Sequence, residues 1–133
     1  MKTVNLGNAS TTAMRPEVIQ VMVDCMAQDY GNPSSTHSLG RHAKSILELS
    51  RKSIAKALNA TAQEILFTSG GTEANNWILR SAVKDLKVRR IISSKMEHHA
   101  VLYPILELQK EFDIQVEYVE NSADGVLDLT HLV

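Results

Sequence analysis

The segment Phe67-Thr68-Ser69-Gly70-Gly71-Thr72-Glu73-Ala74-Asn75-Asn76 runs from an apolar stretch through two adjacent glycines into a helical pattern. Few connections constrain a fold so tightly. The stretch Glu64-Ile65-Leu66-Phe67-Thr68 has the β-branched and aromatic content of a buried strand, and Glu73, Ala74, Trp77, Ile78 and Ala82 follow at helical spacing. Gly70 and Gly71 give the backbone freedom between them and let a ligand approach the main chain closely. Unpaired N–H groups at the start of the helix, joined by the Thr72 hydroxyl, then form a cup for an anion such as phosphate. The pattern is neither a P-loop, since no Gly-Lys-Ser/Thr follows, nor a dinucleotide fingerprint, since Gly-x-Gly-x-x-Gly is absent. On spacing alone it is equally a plain strand-to-helix turn with Thr72 as N-cap.

The rest of the chain alternates elements. Pro16 suits a first helical position, and Val18, Ile19, Met22 and Met26 line one face of a helix running to about Gln28. Gly31 to Ser35 reads as a loop. A long helix is expected from about His37 to Leu58, with Leu39, Ala43, Ile46, Leu47, Ile54 and Leu58 as its apolar stripe. After the cup and its helix come a strand over Arg90–Ser94, a helix from near His98 to Phe112, and a strand over Ile114–Val119. Asp128 opens what looks like a further capped helix. This order predicts an α/β fold with a mostly parallel sheet flanked by helices, whose ligands sit beyond the carboxyl ends of the strands. Gly71–Glu73 and His98 emerge there from neighbouring strands, phosphate at one end and a flat ring at the next.

Four blocks in order carry a family resemblance: Leu6-Gly7-Asn8-Ala9-Ser10-Thr11-Thr12, Gly31-Asn32-Pro33-Ser34-Ser35, Phe67 through Glu73, and Glu97-His98-His99-Ala100-Val101. They resemble the N-terminal part of cysteine desulfurases of the NifS/IscS type, in the class V aminotransferase family of fold type I pyridoxal 5'-phosphate enzymes. The resemblance spans nearly the whole chain. It implies that residues 1–14 lie on the small-domain side and that 15–133 form an incomplete N-terminal portion of the large cofactor-binding domain. It implies that Gly71 and Thr72 hold the cofactor phosphate, and that His98 lies against the pyridine ring and takes part in proton transfer. Imidazole suits that role, being flat and titrating near neutral pH. Without the family, His98 reads as a helix cap or a solvated side chain, and His99 as structural.

The implied reaction removes sulfur from L-cysteine, gives L-alanine, and leaves a protein-bound persulfide for iron–sulfur cluster assembly or another acceptor or scaffold protein. The implied assembly is a homodimer. A selenocysteine lyase, another class V aminotransferase, or a non-catalytic phosphate-binding or assembly module would share the cup. The family's Schiff-base lysine, pyridine-nitrogen acid and nucleophilic cysteine lie downstream of the matched blocks, so the 133 residues read as a fragment that is inactive alone. Lys95 is the ordinary exposed lysine at a strand end. Cys25, the single cysteine, reads as a small core hydrophobe. The family's aspartate in the first block is replaced by Gly7, which leaves Asn8 as a weak candidate for substrate binding.

Composition narrows the field further. A net charge of −1 leaves no basic footprint for nucleic acid. One cysteine supports no disulfide framework, no apolar run reaches membrane-spanning length, and Met1-Lys2-Thr3-Val4-Asn5 does not look like a secretory leader. A cytoplasmic location is expected, and no metal site is singled out.

Overall fold

The computed structural model describes residue 4 and residues 6–132. Apart from Val4, the stretch read above for a secretory leader lies outside the described residues. The chain separates into two compact units, one up to Leu66 and one from Phe67 onward.

In the first unit, Gly7 to Thr11 form a turn closed on the Gly7 carbonyl, which accepts the Ser10 N–H at 2.9 Å and the Ser10 hydroxyl at 2.8 Å. Helix α1 spans Pro16–Gln28, with proline in its first turn and Asp29 as C-cap. It buries none of its residues, so the apolar face of Val18, Ile19 and Met22 is exposed. Cys25 is exposed too, which corrects its reading as a core residue. Helix α2, Ser38–Ala57, starts where His37 caps it by accepting the Gly40 N–H on Nδ1. Of the stripe expected on α2, only Ala43 is buried; Gly40 and Ala55 are the other buried positions. Small residues let this helix lie close to its surroundings. A Cβ on Gly40 would meet the Ser35 carbonyl oxygen and, at 2.7 Å, that of Asn32. The Asn32–Ser35 loop therefore lies on the first turn of α2, pinned by the Asn32 side chain accepting the Ser34 N–H at 2.9 Å.

The strand expected over Glu64–Thr68 is not formed. Glu64 instead closes a short 3-10 turn, Ala62–Glu64, in which its carboxylate accepts the Thr61 N–H and hydroxyl at 2.7 and 2.8 Å. Residues 65–68 join no ladder, and Leu66 and Phe67 are largely exposed. β-branched and aromatic content favours a strand only where a neighbouring strand pairs with it, and residues 65–68 are assigned to no strand.

The second unit is a strand–helix–strand crossover with one helix ahead of it. Helix α3 covers Gly71–Lys84, strand β1 Arg90–Ser94, helix α4 His99–Glu111 and strand β2 Gln115–Val119. The strands pair in parallel, Arg90 opposite Gln115 through Ser94 opposite Val119. The observed architecture is thus the α/β type expected, with a small parallel sheet. Its core is Val83, Leu108 and Ile114, packed by Leu79, Ile91, Phe112 and Val116. Trp77 and Ile78 lie on the helix expected from their spacing and are exposed. Ion pairs Arg80–Glu107 and Lys84–Glu111 stand one helical turn apart between α3 and α4. After β2, a turn holding Gly125 at φ +80° returns the chain to an antiparallel bridge between Asn121 and Leu127, and Leu129–Leu132 form a 3-10 turn begun by Asp128.

Candidate functional site

The start of α3 is built by a carboxylate that folds back. Glu73 accepts the Ser69 N–H at 2.6 Å and the Ser69 hydroxyl at 2.7 Å, a side-chain clasp across the two glycines. The backbone N–H of Ser69, aided by its hydroxyl, holds the Glu73 carboxyl below its ordinary pKa. Gly70, not Thr72, is the N-cap. The first helical bond runs from the Ala74 N–H to the Gly70 carbonyl, so the N–H groups of Gly71, Thr72 and Glu73 have no acceptor among the described residues.

Neither glycine is required by backbone strain. Gly70 is extended, at φ 167°, and Gly71 is helical. Neither is required by packing, since a Cβ on either would meet nothing within 4 Å. What the glycines leave is bare main chain beside three unpaired donors, with the Thr72 hydroxyl adjacent. Such a surface accepts a phosphate, whose charge the N-terminal end of the helix dipole favours.

The second half of the site is delivered by β1. Its last residue, Ser94, is followed by a tight turn through Lys95, Met96 and Glu97 to His98, the N-cap of α4. Lys95 is exposed in that turn. The Nδ1 atom of His98 accepts the Ala100 N–H at 3.1 Å, and the His98 carbonyl accepts the Val101 N–H at 2.8 Å. The cap consumes Nδ1 as an acceptor, placing the ring proton on Nε2. His98 thus combines the cap role, one of its two readings from sequence, with a ring nitrogen left available.

These two helix starts converge. Thr72 and Asn76 of α3, with His99, Ala100 and Tyr103 of α4, line an open hollow of about 130 Å³. His99, rather than His98, is the histidine on its wall, and the two rings lie 3.8 Å apart, centroid to centroid. Asn76 donates to the Thr72 carbonyl at 3.0 Å. Asn8 sits in the exposed turn of the first unit, described above. Sequence reasoning missed Asn76, Tyr103 and the Ser69–Glu73 clasp. Only the clasp left a trace in the sequence, as an acid in the first turn behind a serine.

The family model described as Aminotransferase class-V matches residues 4–133. A cysteine desulfurase IscS of Dictyoglomus turgidum is 42% identical over 127 residues, which is 94% of this chain and 32% of the relative. One of Methanosarcina thermophila is 45% identical over 129 residues, covering 95% and 31%. The chain therefore spans about a third of the length of the curated relatives it matches. Among solved structures, a NifS-like protein superimposes with a TM-score of 0.84 at 35% identity, over 94% of this chain and 35% of the other. An apo cysteine desulfurase of Thermococcus onnurineus gives 0.78 at 27% identity, over 92% and 31%. The chain belongs to the class V aminotransferase family.

Proposed function

We propose that this chain is the N-terminal portion of a pyridoxal 5'-phosphate-dependent cysteine desulfurase, with 1–14 on the small-domain side and 15–133 an incomplete large domain. The single observation that carries the reading is the trio of N–H groups at Gly71, Thr72 and Glu73 with no acceptor among the described residues, beside glycines whose added Cβ would meet nothing within 4 Å there. The names of its relatives support it, being cysteine desulfurases throughout the leading matches. Gly71 and Thr72 would hold the phosphate, and His98 would lie against the ring as a catalytic residue. When bound, the cofactor supplies an electron sink. The chain supplies the rest: amides that fix the phosphate without reorganising, and a His98 ring anchored by Nδ1 that presents its Nε2–H outward as a hydrogen-bond donor.

The substrate is L-cysteine, the products L-alanine and a persulfide passed to an acceptor or scaffold protein serving iron–sulfur cluster assembly. The complete enzyme is a homodimer in the cytoplasm; among the described residues no helix is long and apolar enough to cross a membrane. The relatives extend well past the length matched here, so the 133 residues by themselves are inactive. Asn8 remains a weak candidate for a substrate contact.

Titration of the chain with pyridoxal 5'-phosphate, followed at the aldehyde absorbance, tests the reading. A saturable change that Thr72→Ala abolishes is expected. A parent chain that shows no saturable change overturns it. A parallel assay for alanine from cysteine should stay at background until a C-terminal partner chain is added, and turnover by the chain alone contradicts that part.

A further inference from the structure

Ser94 is the only buried polar residue among the described residues, 8% exposed at the last position of β1. A buried hydroxyl needs a partner, because stripping it of water without a replacement hydrogen bond is costly. Its partner here is specific. The Ser94 Oγ accepts the Met96 N–H at 3.1 Å, and the Ser94 carbonyl accepts the Glu97 N–H at 3.3 Å, so one residue closes the turn from both its side chain and its main chain. His98 follows immediately, and its own Nδ1 is then aligned on the Ala100 N–H.

The same turn is braced from outside. Gly125, at φ +80°, lies so close to Met96 that a Cβ there would sit 3.1 Å from the Met96 methyl carbon. Ser94 pairs with Val119 at the end of β2, and the Asn121–Leu127 turn that carries Gly125 follows directly. The segment after β2 thus comes close to the Met96 side chain of this turn. The Ser94 hydroxyl therefore acts on the turn, through the Met96 N–H.

We infer that Ser94 is a positioning residue for His98: its hydroxyl fixes the turn that sets the imidazole with Nδ1 on the helix and Nε2 free. This rests on the reading of His98 as the residue facing the cofactor ring, but its test needs no cofactor. Threonine and valine at position 94 have the same shape and differ in the hydroxyl alone. Long-range proton–nitrogen NMR of the chain distinguishes an imidazole whose Nδ1 only accepts from one whose tautomers exchange.

The parent and Ser94→Thr are expected to show a single His98 tautomer protonated on Nε2, and Ser94→Val an averaged pair of ring nitrogens in an otherwise folded spectrum. A folded Ser94→Val with the parent His98 signature overturns the inference. Should valine prevent folding, Ser94→Ala adds no atoms and decides the matter in the same way. Loss of the folded spectrum in both variants assigns the hydroxyl to the fold as a whole and also overturns it. Failure of pyridoxal 5'-phosphate to bind, with the His98 signature responding as expected, would sink the proposed function and leave the positioning role standing.

Discussion

Glycine does opposite work in the two units of this chain. At Gly40, a side chain would drive into the Asn32–Ser35 loop, so glycine there serves packing. At Gly70 and Gly71, a side chain would meet nothing within 4 Å among the described residues, so packing within this chain does not call for glycine there. Placed side by side, the two show how a position proposed for binding differs from a structural one. Structural necessity is visible as a clash, while functional necessity appears as space kept open beside unpaired donors.

The contrast can be broken at several points, in descending order of effect. The firmest packing lies in the second unit, where Leu108 is fully buried against Val83 and Ile114. Leu108→Ala should cost about 2–5 kcal/mol in urea unfolding, whereas Met22→Ala on the exposed face of α1 should change stability by about 0.5 kcal/mol at most. Equal effects would mean that burial does not separate these faces. Gly40→Ala should follow, at about 1–3 kcal/mol from overpacking against backbone that cannot move aside.

Gly71→Ala should do the reverse. Its helical backbone and open surroundings predict a gain of about 0.4–1 kcal/mol in stability, together with weaker uptake of pyridoxal 5'-phosphate. A destabilised Gly71→Ala would show that the position is structural after all. The smallest effect is expected from acid. Glu64 and Glu73 each clasp a backbone N–H and a hydroxyl, which lowers both pKa values. The stability they add is present above the ordinary carboxylate pKa and is lost as pH falls through the lowered values. Exchange of the Ala74 amide should therefore speed up in acid in the parent, and be fast and less pH-sensitive in Glu73→Gln. A parent whose exchange, corrected for intrinsic rate, ignores pH contradicts the clasp.

Much of this was legible in the sequence, for reasons that differ by element. The ends of α2 and α4 carry local signals, His37 and His98 at their starts, and β1 and β2 are bounded by the charged and turn residues around them. Such signals are read within a few residues. The 64–68 strand was misread because its composition is right but strand formation depends on a neighbour, which lies outside any local window. Which side of α3 is buried is hidden for a related reason. Trp77 and Ile78 and, a position further on, Leu79 and Val83 make equally good stripes, and only the packing of Leu108 and Ile114 selects the second. At the candidate site, the glycines and the histidine were legible. The sequence concealed that His98 spends one nitrogen on its helix, and that the shared hollow is walled by His99.

The phosphate cup is the claim on which the rest depends, and competition measures it most directly. Pyridoxal 5'-phosphate and pyridoxal, which lacks the phosphate, should be titrated separately into the chain, each with and without inorganic phosphate. Saturable binding of the phosphorylated form, its displacement by phosphate, and little binding of pyridoxal are expected. Indistinguishable titrations of the two compounds, unaffected by phosphate, would contradict it.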